Sequence, residues 1–336
     1  MVTADGDLPG SVSPRRRVGI HAGSLSAGRL RTTVGRLRPP QTFPLAPPTW
    51  PGGVPRPPVE RTLGMDYDSE WARRYPARLG RVLVSELVAR PVLHALASPR
   101  VSGQDRIAHL DEPVIFAANH ASHIDTPLLL SVIPERWRHR IFVAGAADYF
   151  FDTRAKAITF AFLLNAVPIE RQRVSRDSAN RVAALLAEGW SLIIFPEGGR
   201  SPDGWGQPHR AGTAWLAVRT GRPVIPVHIE GTRQMLAKGS ARLKPGTAHV
   251  NFGRPLRAGP DDDPRVLAAD LERAVAALAD EQTTDWWTAR KRAAAGTTPS
   301  LTGPAAGAWR RAWALDTRSS RARRRGGTGR DQWPKL

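Results

Sequence analysis

A histidine and an aspartate five residues apart carry the most informative chemistry in this chain. The apolar run Val114–Ala118 leads directly into Asn119 and His120, and Asp125 follows just before Thr126–Pro127–Leu128. Such a run reads as a buried strand, and α/β folds bind ligands at the carboxyl ends of their strands. The loop after it can fold back so that the Asp125 carboxylate accepts a hydrogen bond from one nitrogen of His120. That bond fixes the tautomer and leaves the other nitrogen as a general base. It is the base–orienter half of a Ser-His-Asp triad, with the nucleophile left to the substrate. Three other readings stand beside it. Asp125 can be a helix N-cap, which is compatible with orienting a histidine. His120, His123 and Asp125 can hold a metal, although the two histidines leave a strand end rather than share a helical face, and no fourth ligand is evident. The pair can also be purely structural.

A second strand-like run, Ser191–Phe195, ends in Pro196–Glu197–Gly198–Gly199–Arg200–Ser201. Glycines there let backbone amides approach a ligand, and an arginine offers a fork for phosphate. Further strand-like runs are Ile141–Ala144, Val167–Ile169, Val224–Ile229 and His249–Phe252. Helical patterns lie between them at Thr126–Ile133, Ala155–Leu164, Asp177–Glu188, Thr213–Arg219 and Pro264–Ala279. This alternation predicts an α/β domain with a central, mostly parallel sheet flanked by helices. The stretch Trp71–Leu96 also reads as helical, with Leu79, Val82, Leu83, Leu87, Val88 and Val92 at helical spacing and Pro91 as an expected kink. It either lies in a membrane interface or packs on the domain as an ordinary amphipathic helix.

Asn119–His120 with Asp125, followed by Phe195–Pro196–Glu197–Gly198–Gly199–Arg200–Ser201, resembles the signatures of the lysophosphatidate / glycerol-3-phosphate acyltransferases, the PlsC-type glycerolipid acyltransferase family. Val167–Arg171 and Val224–Val227 are similar to two further blocks. The likeness extends over roughly residues 75–280. Gly199 stands where the family usually has Thr, and Asn165 and Pro168 replace its usual Gly and Phe. The resemblance implies transfer of a fatty acyl group from acyl-CoA or acyl-ACP to a lysophospholipid hydroxyl, foremost 1-acylglycerol-3-phosphate, to give phosphatidic acid. Glycerol-3-phosphate, another lysolipid or an amino lipid are the alternative acceptors, and hydrolysis of the thioester is the alternative reaction. His120 and Asp125 are the implied catalytic pair. Asn119, Arg171, Glu197, Gly198, Arg200 and Ser201 are the implied substrate-binding positions, and Arg210 the implied contact to the donor's carrier. No permanently bound cofactor and no metal are expected. Backbone amides near His120 or the Gly198 turn are the candidate oxyanion donors.

The formal charge of +19 is concentrated at the ends. Residues 1–64 hold 9 Arg against 3 acids and 11 of the 30 prolines, and residues 290–336 hold 12 Lys/Arg against 2 acids. Residues 65–289 are nearly balanced at +3. Basic ends suit an anionic partner, either membrane lipid or nucleic acid, unless coding bias alone filled them with Arg. A nucleic-acid-binding protein driven by its tails is the rival from another functional class, and no specific nucleic acid is expected. Cysteine is absent, which excludes disulfides and a cysteine nucleophile. No apolar run reaches the ~18 residues of a spanning helix, and no signal-peptide core follows Arg15–Arg17. The expected organisation is a disordered Pro/Arg-rich tail over 1–64, with Met65 a candidate true start. An amphipathic docking segment over 65–100 follows, then an acyltransferase domain over 101–285 and a basic, largely disordered tail over 286–336. Trp286, Trp287, Trp309 and Trp313 suit an interface, and the expected location is peripheral, at the cytoplasmic face of the cell membrane.

Overall fold

The computed structural model describes residues 63–170, 176–201, 203–238, 240 and 242–303. Helices α1 (Ala77–Val84) and α2 (Arg90–Ala97) come first, and β1 (Arg100–Ser102) and β2 (Ile115–Ala118) follow. Next are α3 (Asp125–Val132), α4 (Glu135–Arg138), β3 (Ile141–Ala146), α5 (Ala147–Phe150), α6 (Arg154–Leu164) and β4 (Ala166–Ile169). The remainder is α7 (Arg176–Ala187), β5 (Ser191–Ile194), α8 (Gly212–Thr220), β6 (Val224–Glu230), α9 (Thr232–Met235), β7 (His249–Phe252), α10 (Pro264–Thr283) and α11 (Trp286–Ala294).

The seven strands form one sheet in the order β1-β7-β6-β2-β5-β3-β4. All neighbours run parallel except β6 and β7. The expected α/β architecture is therefore present as a mixed sheet with a parallel centre. Strand β2 lies at that centre, between β5 and β6, and all four of its residues are buried. Alternation along β2 splits its side chains between two cores. Phe116 and Ala118 pack with α2 and α3, while Ile115 and Ala117 pack with α7, α8 and α10. Burial on both faces explains why β2 reads as an unbroken apolar run.

Three elements differ from the sequence expectation. Strand β1 is exposed along its whole length and has no apolar signature. It is held by its pairing with β7, a partner almost 150 positions away in the chain. The segment Trp71–Leu96 is not one helix. A 3-10 turn, Glu70–Arg73, precedes α1, and a π turn, Ser85–Ala89, joins α1 to α2. Pro91 is the second residue of α2, which directly follows the π turn. Leu79, Leu83, Leu87, Val88 and Val92 are all exposed, whereas Arg81 is buried. Finally, α11 and the residues to 303 continue the fold beyond the boundary expected at 285. Asp285 caps α11 by accepting from Thr288 N, and the buried Asp280 of α10 holds Arg292 at 2.7 Å. Leu301 O accepts from Gly206 N at 2.8 Å. Among the described residues no helix is long and apolar enough to cross a membrane.

Candidate active site

Strand β2 releases the chain into Asn119 and His120 at the carboxyl edge of the sheet, and α3 starts five residues later at Asp125. The connecting loop turns back, as its length allows. His120 Nδ1 lies 2.9 Å from Asp125 Oδ2. The same oxygen accepts from Ala121 N at 2.7 Å and Ser122 N at 2.8 Å. Asp125 is completely buried, while the His120 side chain keeps 15% exposure. A carboxylate only accepts, so Nδ1 carries the imidazole proton and Nε2 presents a lone pair. Phe195, just past β5, stacks on the ring with centroids 4.0 Å apart and holds its plane. Ser122 Oγ donates to Leu236 O at 2.8 Å, which pins the loop from the other side.

The turn after β5 supports the histidine through its backbone. Glu197 Oε1 accepts from His120 N, and Oε2 accepts from Gln207 N, both at 2.8 Å. Burial pushes the Glu197 carboxyl up to about 7, against the pull of those two amides. Ser201 N donates to His120 O at 2.8 Å, and Ser201 Oγ accepts from Gly204 N at 2.8 Å. Three positions expected to bind substrate make hydrogen bonds within the protein. Glu197 and Ser201 brace His120. Asn119 uses both ends of its amide on the backbone of Ile229 in β6, at 2.9 and 2.7 Å. These bonds span 77 to 110 positions of sequence, so no local pattern announces them.

A cleft of about 160 Å³ opens beside His120. Its polar lining includes His120, His123, Arg200, Arg210 and Thr213 at the start of α8. Its apolar lining includes Val143, Phe150, Leu164, Ile169 and Ile194. Gly198 and Gly199 of the turn after β5 line it as well. Gly198 has φ +69°, and a Cβ there would lie 2.9 Å from Arg210 Cζ. A glycine is required at that point, and it lets the Arg210 guanidinium cross the turn. Arg171 and Arg173 lie outside the described residues, as do Trp309 and Trp313.

His123, first considered as a metal ligand, instead pairs its Nε2 with Tyr149 OH at 3.0 Å. Burial, together with the Arg200 charge, pushes its pKa down to about 4, so it is neutral at physiological pH. Among the described residues no group of three or more His, Asp or Glu is placed to hold a metal ion. Sequence reasoning missed Gln207 and Tyr149 as parts of this site, since neither lies in a motif. Phe195 was visible as the last residue of an apolar run, but not as the plate against which the imidazole rests.

Residues 98–230 match the family model described as Acyltransferase. A chloroplastic 1-acyl-sn-glycerol-3-phosphate acyltransferase BAT2 of Brassica napus is 27% identical over 176 residues, covering 52% of this chain and 49% of the relative. A 1-acyl-sn-glycerol-3-phosphate acyltransferase of Cocos nucifera is 30% identical over 146 residues, covering 43% and 46%. The chain spans about half the length of these curated relatives. The crystal structure of the 1-acyl-sn-glycerophosphate acyltransferase PlsC from Thermotoga maritima superposes with a TM-score of 0.51 at 27% identity. It covers 65% of this chain and 84% of its own.

Proposed function

This chain belongs to the PlsC-type glycerolipid acyltransferase family, and on that premise we propose that it moves a fatty acyl group from acyl-CoA or acyl-ACP to the free hydroxyl of 1-acylglycerol-3-phosphate, giving phosphatidic acid. The observation that carries this reading is the 2.9 Å bond between His120 Nδ1 and Asp125 Oδ2, set on a cleft lined by Arg200, Arg210 and several apolar side chains.

In this mechanism the acceptor's hydroxyl hydrogen-bonds to His120 Nε2. The base takes its proton as the oxygen attacks the thioester carbonyl. Asp125, buried and negatively charged, stabilises the imidazolium that forms. The tetrahedral intermediate collapses, the carbon–sulfur bond breaks, and His120 returns its proton to the departing thiolate. The enzyme forms no covalent intermediate, which suits a chain without cysteine. The amides of His120, Ala121, Ser122 and Gly198 already donate within the protein, so they are not the oxyanion donors. The Gly199 amide, whose residue lines the cleft, takes the oxyanion role in this mechanism. Arg200 and Arg171 grip the acceptor phosphate, and Arg210 with the start of α8 receives the carrier's phosphates. The apolar lining of the cleft takes an acyl chain.

Acceptor and product both partition into membranes. The exposed Leu83, Leu87, Val88 and Val92, with the exposed pair Trp286 and Trp287, support docking at a lipid surface. The basic ends add attraction to anionic lipid, about 1 kcal/mol per near-surface Lys or Arg. The protein is accordingly a peripheral one at the cytoplasmic face of the membrane. The deciding experiment incubates the full chain with acyl-CoA or acyl-ACP and a panel of acceptors, with mass detection of the product. Phosphatidic acid from lysophosphatidate is expected. Free fatty acid alone, or acylation of only a different acceptor, would overturn the assignment.

A further inference from the structure

A second cavity of about 150 Å³ lies between the α1–α2 segment and the body of the domain. Leu164 lines both this cavity and the catalytic cleft. Most of its wall is apolar, with Val84, Leu93, Leu130 and Leu163 contributing. Arg81 also lines it, and this arginine is only 8% exposed. One of its N–H groups donates to Ala72 O at 2.5 Å. Among the described residues, no carboxylate lies within ion-pair distance of it. Its charged neighbours are Arg73 and Arg78, of the same sign, and with burial they push its pKa down to about 10, so it remains cationic at neutral pH. Arg90 and Arg138 line the cavity as well and share a single carboxylate, Glu86, at 3.1 and 3.0 Å. Three guanidinium groups therefore stand against one acid.

A buried charge without a counter-charge is strongly destabilising, and an anion in the cavity would offset that penalty. The apolar wall decides which anion. A bare phosphate would leave the hydrocarbon surface unfilled, whereas an anionic headgroup on an alkyl stem satisfies both. Asn165 supplies a further match: it is 1% exposed, it lines the cavity, and its Oδ1 has no donor in the protein. The hydroxyl of a glycerol headgroup is such a donor. A cavity of this volume is about that of one that holds benzene, so it accommodates a headgroup with a few carbons, and the chain runs outward.

We propose that this cavity is a second lipid site, separate from the catalytic cleft, that takes the anionic headgroup of a monoacyl phospholipid. Because Leu164 is shared, an occupant touches the wall of the catalytic cleft. The site stands on Arg81 and its surroundings; only the choice of lysophosphatidate as probe rests on the proposed acceptor.

The test is equilibrium dialysis of radiolabelled lysophosphatidate, below its micelle concentration, against the full chain carrying His120→Ala to prevent turnover. Two equivalents per chain are expected. Arg81→Met should remove one, and so should Ser85→Phe, which keeps the arginine but fills the cavity it lines. Monoacylglycerol should not occupy the second site. Two equivalents retained in both variants would overturn the proposal, as would a single equivalent insensitive to both substitutions. Saturation of the second site by inorganic phosphate alone would make it a simple anion site and also overturn it. If the cleft does not bind lysophosphatidate, one equivalent remains that responds to Arg81→Met but not to Arg200→Ala. That result sinks the acceptor assignment while sustaining the second site.

Discussion

Replacing Asp125 with Asn changes one atom and removes one charge, so its effect isolates what the carboxylate does. In the native chain Oδ2 gathers three donors, His120 Nδ1, Ala121 N and Ser122 N, while the buried Oδ1 has no partner. An asparagine oxygen can keep the two backbone bonds and hold the loop. It cannot stabilise an imidazolium as an anion does. Two opposite charges about 4 Å apart at an effective dielectric of about 20 attract by roughly 4 kcal/mol. Losing that in the transition state slows turnover by about 10³-fold, and the analogous change in a serine-protease triad costs about 10⁴-fold. Asp125→Asn should therefore lower kcat by about 10³ to 10⁴ with little change in either KM. The assay is steady-state thiol release from acyl-CoA with lysophosphatidate presented in mixed vesicles. Thermal melts of both proteins establish that the variant is folded. A folded variant with less than a tenfold loss would refute the reasoning.

Other expectations follow from the same geometry. Arg200→Ala should raise the acceptor KM by about 10- to 100-fold, as loss of a charge-assisted hydrogen bond implies, and leave the donor KM unchanged; an unchanged acceptor KM would count against a phosphate contact. Glu197 has its pKa raised from 4.5 to about 7, so folding takes up a proton between those values. Its contribution to stability is greatest below pH 4.5 and is lost as pH rises through 7, by on the order of 3 kcal/mol. Glu197→Gln should flatten that part of the stability–pH curve in denaturant titrations, and an unaltered slope would contradict it. Gly198→Ala, at φ +69° and against Arg210, should lower the melting temperature by a few degrees, at about 1–2 kcal/mol of strain; a native melting point would disprove the required glycine. The full chain should float with anionic vesicles at low salt, and Leu83→Asp with Leu87→Asp should weaken that; absence of the wild type from the lipid layer would refute surface docking.

The placement of His120 against Asp125 was legible in the sequence because its determinants are local. A short unbroken apolar run bounded by other strand–helix alternation reads as a buried strand, and this one ends at Ala118, two residues before His120. A helix begins at Asp125, and five residues are enough for the loop to close. The alternating strands and helices were legible for the same reason: each has its own period. What could not be read depends on distant partners. Asn119 is a substrate-binding position on the resemblance alone, and its pairing of both amide ends with Ile229 could not be read. Glu197 and Ser201 looked like ligands in a turn, yet they hold the backbone of His120. The apolar stripe of α1 and α2 was legible from its spacing but the side it faces was not, and Leu79, Leu83, Leu87, Val88 and Val92 are exposed in the fold. Order past residue 285 was hidden by an Ala- and Arg-rich composition, and it rests on the Asp285 cap and the Asp280–Arg292 pair.

The central claim is that His120 takes the proton from a lipid hydroxyl so that this oxygen can accept an acyl chain. Its most direct test is single-turnover transfer from acyl-CoA to lysophosphatidate by wild type and by His120→Ala, with product mass as the readout. Phosphatidic acid formed by wild type, and loss of nearly all of it in a folded variant that still binds lysophosphatidate, is the predicted result. A His120→Ala protein that makes phosphatidic acid at close to the native rate would contradict the account.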